Sequence, residues 1–368
     1  MDQEDEQAPA AQPRTPSRRS TVLGLATVAG IAAVDVGGFL YVSGRLTPGK
    51  LTPARLADGF ETTFGKHAGF RRNHAKGVSV SGHFTGNGAG SAVSTATVFE
   101  SGRRSPVTGR FSLSGGVPDV ADTATTVRGL GLRFSLPDGE QWRTAMINIP
   151  VFLDSTPRGF YDRMLAFKKV PATGKPDPAK AAAFLAGHPE TVKAMKIVKK
   201  HPPTSGFADS TYHGLNAFHL TNSSGHMVPV RWSMVPVQQA RPAAAKPPED
   251  RDQLFNTLVT TVDAGSLRWR LMLTIGLPGD QLDDATVPWP DSRRQIDAGT
   301  LTLDNVQTEA EGNGRDVNFD PLVLPQGIEP SDDPLLSARS AVYAQSFARR
   351  SGEPAGTSAV NVSQVLDA

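Results

Sequence analysis

The sequence contains no cysteine. This absence excludes disulfide bonds, thiol catalysis, cysteine-ligated zinc, iron–sulfur clusters, thiolate-ligated haem and c-type haem attachment. The sequence also lacks an excess of one charge sign, since 38 Lys and Arg stand against 36 Asp and Glu. A dedicated nucleic-acid binder carries a basic field, so we expect no nucleic-acid partner.

Apolar residues are plentiful enough to form a large core. They make up 38% of the 368 residues and include 17 Phe and 4 Trp. This composition excludes a wholly disordered chain. The length suits two domains, or one large β-rich domain with extensions.

The N-terminal region differs in composition from the rest of the chain. Residues 1–20 are polar and end with basic residues that include Arg18 and Arg19, and residues 21–43 are almost wholly apolar or small. Basic residues before an apolar run are typical of a signal or anchor segment, and the arginine pair is similar to a twin-arginine signal. We therefore expect this segment to contact the membrane or the export machinery. The remaining chain would then be exported, periplasmic or membrane-anchored outside the cytoplasm. Asp35 makes a membrane span costly, and a buried helix is the alternative interpretation.

Alternating apolar and polar residues predict short β-strands along much of the chain. The candidate strands begin near Val78 and are separated by glycine-rich breaks; they lie at 78–81, 92–99, 107–113, 127–134, 142–149, 212–221, 227–235, 266–275 and 299–306. Short antiparallel strands at this spacing favour a barrel or a sandwich. Proline and capping residues predict helices that begin near residues 53, 178, 189 and 334.

The helix predicted over residues 334–350 carries an unusual stripe. Arg339, Tyr343 and Arg350 are spaced i, i+4 and i+11, which places them within about 40° of one another around a helix. One interpretation is a solvated basic face with an incidental tyrosine. The other is a phenol held as phenolate by a neighbouring guanidinium and a bound cation, and tyrosine phenolate is a known type of axial haem ligand.

Several segments resemble those of the haem catalases, and they occur in the same order as in that family over about residues 50–350. These segments are RxxHAKGxxxxGxF at 71–84, RFS at 110–112, ADT…VRG…RF at 121–134, NxPxF at 148–152, FDP at 319–321, PxGIEPSxD from Pro325, and RxxxYxxxxxxR at 339–350. The stretch from Tyr212 to Phe218, followed by Val230-Arg231-Trp232, resembles the minimal branch of that family, the catalase-related peroxidases.

The resemblance implies an α+β fold in which a catalase-like antiparallel β-barrel carries added helices. It places the haem domain at 50–368, with the barrel at about 70–310 and a proximal haem-ligand helix at 334–350. The sequence ends soon after Arg350. We therefore expect the fold to lack the C-terminal helical domain of full catalases, and with it their nicotinamide nucleotide site.

Three residues resemble the distal machinery of the family. His74 matches the acid/base that takes a proton from peroxide and returns it to the departing oxygen. Ser112 matches the partner that orients the imidazole, and Asn148 matches the donor that positions the peroxide. Phe160 or Tyr161 would pack against the porphyrin, and the sequence does not choose between them.

The remaining site residues resemble groups that hold the cofactor, a b-type haem. Tyr343 matches the axial phenolate ligand of the haem iron, and Arg339 matches the guanidinium that stabilises it. Arg71, Arg110 and Arg350 match the partners of the haem propionates, which a guanidinium fork suits.

The resemblance implies a peroxidase that reduces organic hydroperoxides and hydrogen peroxide through a ferryl haem, with weak catalase activity. Its partners would be a peroxide substrate and a small-molecule electron donor, and a homo-oligomer is compatible with the family. The alternative is a non-catalytic exported haem-binding protein. His74 and Asn148 favour the enzyme, because a carrier needs neither residue.

Overall fold

The structure of the chain, a computed structural model, describes residues 50–123, 125–243 and 250–367. The polar segment 1–20 and the apolar segment 21–43 lie outside these residues. Among the helices of the described ranges, none has the length and apolar character needed to cross a bilayer.

Antiparallel strands form a closed barrel at the centre of the fold. The ten strands of the described residues are β1 (Gly77–Gly86), β2 (Arg104–Leu113), β3 (Arg128–Ser135), β4 (Gln141–Ile147), β5 (Tyr212–His213), β6 (Phe218–Thr221), β7 (Met227–Pro236), β8 (Leu267–Ile275), β9 (Gln295–Gln307) and β10 (Ile328–Pro330). Eight of them close in the order β7–β5–β4–β3–β2–β1–β9–β8, and β8 pairs back to β7. Strands β6 and β10 extend the sheet beside β7. The predicted antiparallel barrel is confirmed.

Seven α-helices of the described residues surround the barrel. They are α1 (Pro53–Phe64), α2 (Pro157–Ala166), α3 (Pro178–Gly187), α4 (Pro189–Lys199), α5 (Gln253–Ala264), α6 (Pro334–Ser351) and α7 (Val362–Leu366). Five of them begin with proline, which has a dihedral angle suited to the first helical position. At α6 the Asp333 side chain also accepts a hydrogen bond from the Leu335 amide at 2.8 Å. The four helices predicted from proline and capping residues are present.

One predicted strand is wrong, and a second is interrupted. The stretch 92–99 forms no strand, and its flanks are the short 3-10 turns Ala89–Ala92 and Thr97–Phe99. Its apolar residues are buried by other contacts, and the Phe99 ring packs edge-on against Trp142 at 6.0 Å. The predicted strand 212–221 is interrupted between β5 and β6. There Leu215 has a φ of +67°, a left-handed conformation that breaks the extended chain.

Large side chains fill the interior of the barrel. Trp142 is stacked on Phe134 with ring centres 4.7 Å apart, and it meets Trp232 edge-on at 5.1 Å. The Phe84 ring of β1 meets the Phe134 ring edge-on, with ring centres 5.6 Å apart. Because this interior is packed with buried rings, any sizeable ligand site has to use the outer face of the wall.

Candidate active site

A cavity of about 320 Å³ lies between the outer face of strands β2–β4 and helix α6. Six of the eight predicted site residues line it, namely Arg71, His74, Arg110, Ser112, Arg339 and Tyr343. Apolar side chains from α1 and α2 and the segment before α2 complete its border, including Phe60, Phe152 and Phe160. The cavity therefore combines an apolar enclosure with a few polar groups, as small-molecule sites do.

The barrel wall under this cavity carries small side chains at its centre. The strand register places Arg110 beside Gly131 and Gly131 beside Ala145, and in the next row Ser112 lies beside Gly129. A Cβ atom on Gly129 would lie 2.9 Å from both His74 Nδ1 and Ser112 Oγ. A Cβ atom on Gly131 would lie 2.7 Å from the Phe319 ring. The two glycines thus allow the His74 and Phe319 rings to lie directly on the sheet.

His74 lies in the segment before β1 and has a left-handed backbone with φ of +58°. Non-glycine residues rarely adopt this conformation, and they keep it only when the surroundings enforce it. Its Nδ1 is hydrogen-bonded to the Ser112 hydroxyl at 3.1 Å. Because Ser112 occupies Nδ1, the nitrogen that remains for chemistry is Nε2.

The His74 imidazole is held in its neutral form. Burial, together with the positive charges of Arg110, Arg71 and Arg339, lowers the pKa of His74 from the usual 6.5 to about 3. The imidazole is therefore unprotonated at neutral pH, and the lone pair of Nε2 is available to a ligand.

Asn148 lies just after β4, next to the cavity but not among its lining residues. Its side-chain oxygen accepts a hydrogen bond from the Arg128 backbone N–H at 2.8 Å. The backbone N–H of Asn148 donates to the Arg128 carbonyl at 3.0 Å. Since the side-chain oxygen is engaged, the group left for a ligand is the amide NH₂, which is a donor.

Helix α6 presents Tyr343 and Arg339 to the cavity. The Arg339 guanidinium carbon lies 5.9 Å from the centre of the Tyr343 ring. Arg339 donates to the Ala145 carbonyl at 2.7 Å and to the side-chain oxygen of Asn216. Asn216 in turn donates to the buried Asp333 carboxylate at 2.7 Å. This chain of hydrogen bonds holds the guanidinium beside the phenol, so two residues of the predicted stripe, Arg339 and Tyr343, line the cavity and do not form a solvated face.

A cluster of buried positive charges lies at another end of the site. Arg71 donates through Nη2 to the carbonyl oxygens of Gly314, Arg315 and Val317 at 3.1, 3.1 and 2.8 Å. Burial, followed by the charges of Arg110 and Arg350, lowers the pKa of Arg71 well below its usual value.

Arg350 belongs to the same cluster but lies outside the main cavity lining. It is 8% exposed, and its Nη2 has no hydrogen-bond partner in the described part of the chain. Burial and the Arg110 charge lower the pKa of Arg350 to about 10. This nitrogen is a donor that an anionic ligand or water would satisfy.

Glu309 is a site residue that the sequence did not reveal. It lies in the loop after β9, and its side chain is 6% exposed. Its carboxylate receives two hydrogen bonds from Arg110, from Nε at 2.7 Å and from Nη2 at 2.9 Å. Burial would raise the pKa of Glu309, but the charges of Arg110, Arg71 and Arg350 hold it below the usual value. No sequence motif marks this loop position, so only the folded structure identifies Glu309 as a site residue.

The structure therefore brings most of the predicted residues to one place. Of the two aromatic candidates, Phe160 lines the cavity and Tyr161 does not. Asn216 and Asp333 are further contributors that the sequence did not single out as site residues. Both act through Arg339, and their role depends on a loop and a helix end that are distant in the sequence.

Comparison with known proteins agrees with this fold. A family model described as Catalase matches residues 63–366. The solved structure of catalase A from Saccharomyces cerevisiae superposes with a TM-score of 0.70 at 20% identity, covering 77% of this chain and 62% of the yeast chain. At that identity, the superposition shows the fold alone.

Two curated relatives carry the description catalase-related peroxidase. The protein from Synechococcus elongatus is 39% identical over 311 residues, which cover 82% of this chain and 89% of that protein. The protein from Mycolicibacterium paratuberculosis is 32% identical over 314 residues, which cover 84% of this chain and 98% of that protein. The chain belongs to the catalase family.

Proposed function

We propose that the chain is a haem-dependent peroxidase that reduces organic hydroperoxides and hydrogen peroxide with electrons from a small-molecule donor. The observation that carries this proposal is the His74 imidazole, which is hydrogen-bonded to Ser112 on the barrel wall and lines the same cavity as Tyr343. A haem-storage protein has no use for a buried base in this position. The curated relatives described as catalase-related peroxidases support the same reaction class.

The residues of the cavity fit a haem. The His74 and Phe319 rings lie on the glycine-rich wall and line one side of the cavity, and Tyr343 on helix α6 offers an oxygen ligand of the type that binds ferric haem iron. Three guanidinium groups, those of Arg71, Arg110 and Arg350, face one carboxylate, that of Glu309. The cluster is therefore short of two negative charges, which equals the charge of two propionates. Arg71 and Arg350 would hold the propionates, because Arg110 is largely engaged by Glu309.

When bound, haem with a phenolate ligand supplies an electron-rich iron that cleaves the O–O bond of a peroxide. His74 Nε2 accepts the proton of the incoming peroxide and returns it to the departing oxygen. Asn148 donates from its NH₂ group and orients the peroxide. Arg339 stabilises the negative phenolate oxygen of Tyr343 from one helical turn away. Ser112 keeps the imidazole in the tautomer and orientation that this proton transfer needs.

The apolar border of the cavity supports a preference for organic hydroperoxides. Purified protein should oxidise a phenolic donor with cumene hydroperoxide, while it releases dioxygen from hydrogen peroxide only weakly. Steady-state rates of both reactions on one preparation test the proposal. Vigorous dioxygen release without turnover of the organic hydroperoxide would make the chain a catalase in the narrow sense.

Tyr343 is expected to bind the iron through its phenolate. Tyr343→Phe removes the oxygen, so the protein should lose haem or show a visible spectrum without the phenolate signature. Tyr161→Phe is the matched control, because Tyr161 lies outside the cavity lining. An unchanged phenolate spectrum in Tyr343→Phe would contradict the assignment.

His74 is expected to act as the acid/base. His74→Ala should retain haem and react with peroxide at least about a hundredfold more slowly, because general acid–base groups contribute about 10²–10⁴-fold. Because the folded-state pKa of His74 is about 3, the wild-type rate should stay level between pH 8 and pH 5. Stopped-flow measurement of the Soret change tests both points, with the exposed His226→Ala as control. A rate within tenfold of wild type would remove His74 from the mechanism.

We also propose that residues 1–43 direct the catalytic domain out of the cytoplasm. The basic residues before an apolar run support this proposal. Replacing both Arg18 and Arg19 with Lys should leave the protein in the cytoplasmic fraction, whereas Arg14→Lys should not. Immunoblots of cell fractions test this, and equal distribution of both variants would contradict a twin-arginine signal.

A further inference from the structure

We propose that Glu309 and Arg110 form a clamp that holds His74 in its left-handed backbone conformation. Glu309 would then be a positioning residue for the acid/base, acting through Arg110. This inference rests on the proposed function of His74. It gives Arg110 a different main task from the propionate contact expected for it.

The hydrogen bonds of Arg110 lead to this assignment. Besides its two bonds to Glu309, Arg110 donates from Nη1 to the His74 carbonyl at 2.7 Å and from Nη2 to the Ala75 carbonyl at 3.0 Å. A guanidinium has five N–H groups, and four of those in Arg110 are thus engaged. At most one remains for a ligand in the cavity, whereas two hold the turn that contains His74.

The turn needs such a hold. His74 has a φ of +58°, and a histidine without restraint would leave this region for an ordinary one. Ala75, the residue after His74, is held through its backbone, since its amide donates to the Gly115 carbonyl at 2.9 Å. The two carbonyl contacts from Arg110 act on the same peptide units. They therefore restrain the orientation of the His74 side chain.

Glu309 fixes the guanidinium in the plane that makes these contacts. Its two oxygens engage Nε and Nη2, a paired geometry that sets the rotation of the fork. Both side chains are nearly inaccessible, at 3% exposure for Arg110 and 6% for Glu309. Gly77 makes room for the fork, since a Cβ atom there would lie 2.5 Å from the Arg110 guanidinium carbon.

The loop that carries Glu309 is itself anchored to the barrel. The Asn313 side chain accepts from the Ala310 amide at 3.2 Å and donates to the Thr308 carbonyl at 2.9 Å. The Gly314 amide donates to the Ser79 hydroxyl on β1 at 2.9 Å. The carboxylate is thus presented from a rigid frame, as a positioning group requires.

The test compares Glu309→Gln with Glu311→Gln, a matched change at an exposed position of the same loop. In haem-loaded protein, cyanide binds to ferric iron after a base takes the proton from hydrogen cyanide. Stopped-flow cyanide association should slow about ten- to a hundredfold in Glu309→Gln, since a displaced group loses about that much. It should not change in Glu311→Gln. A Glu309→Gln rate equal to wild type, at equal haem content, would overturn the clamp.

Amide hydrogen exchange supplies a readout that does not depend on haem. The peptide spanning residues 71–78 should exchange at least about tenfold faster in Glu309→Gln than in Glu311→Gln, because the turn is released. If Glu309 only balanced the charge of the arginines, haem affinity would change and this exchange would not.

Should Glu309→Gln fold poorly, Glu309→Asp replaces it, since it keeps the charge and shortens the reach. Slowed cyanide association with normal haem content in Glu309→Asp supports the clamp, and a wild-type rate contradicts it. A chain that binds no haem would sink the proposed function, while the exchange comparison would still decide on the clamp.

Discussion

The position of the His74 imidazole depends on the absence of side chains on the outer wall of the barrel. Gly129 and Gly131 lie in adjacent rows of one face, and each accommodates a ring that a methyl group would displace. The imidazole therefore rests against the backbone of the sheet, where Ser112 reaches its Nδ1. A packed barrel interior keeps this wall rigid, since Phe111 and Leu130 on the other face are fully enclosed. The outer surface of a small barrel thereby becomes a precise platform for a reactive group.

The electrostatic character of the site follows from burying positive charges near that platform. Burial and the charges of Arg110 and Arg71 make a protonated His74 unfavourable, so the imidazole stays neutral. The same burial is unfavourable for the guanidinium groups, because the loss of hydration of a charge is offset only by nearby opposite charges and hydrogen-bond partners. Glu309 supplies one such partner, and an anionic ligand would supply the rest. The cluster thus links two properties, the neutral state of His74 and an excess of positive charge that a carboxylate-bearing cofactor would balance.

The sequence predicts the barrel and most of the site, because these depend on local patterns. Strand alternation and proline-led helices are local, and the Arg339 to Tyr343 spacing follows from one helical turn. The strand prediction at 92–99 was wrong because an alternation of apolar and polar residues indicates only which side chains are buried. Short turns can bury alternate residues in the same way. Glu309 and Asn216 escaped prediction because their roles arise from contacts more than 120 residues away along the chain. The contact between Arg110 and Glu309 escaped prediction for the same reason.

Helix α6 connects the two halves of the site, and polar contacts fix its rotation. The side of α6 that faces this cavity combines apolar residues such as Val342 with Arg339 and Tyr343, so apolar burial is not its only restraint. Near the start of α6, Arg339 is tied through Asn216 to the cap Asp333. Near its end, Arg349 pairs with Asp58 of α1 at 2.7 Å and also with Glu61 at 3.0 Å. With both ends fixed, the seven-residue interval from Tyr343 to Arg350 spans about 10 Å along one face. A single rigid helix thereby sets the distance between the group that would bind the metal and a group that would bind a propionate.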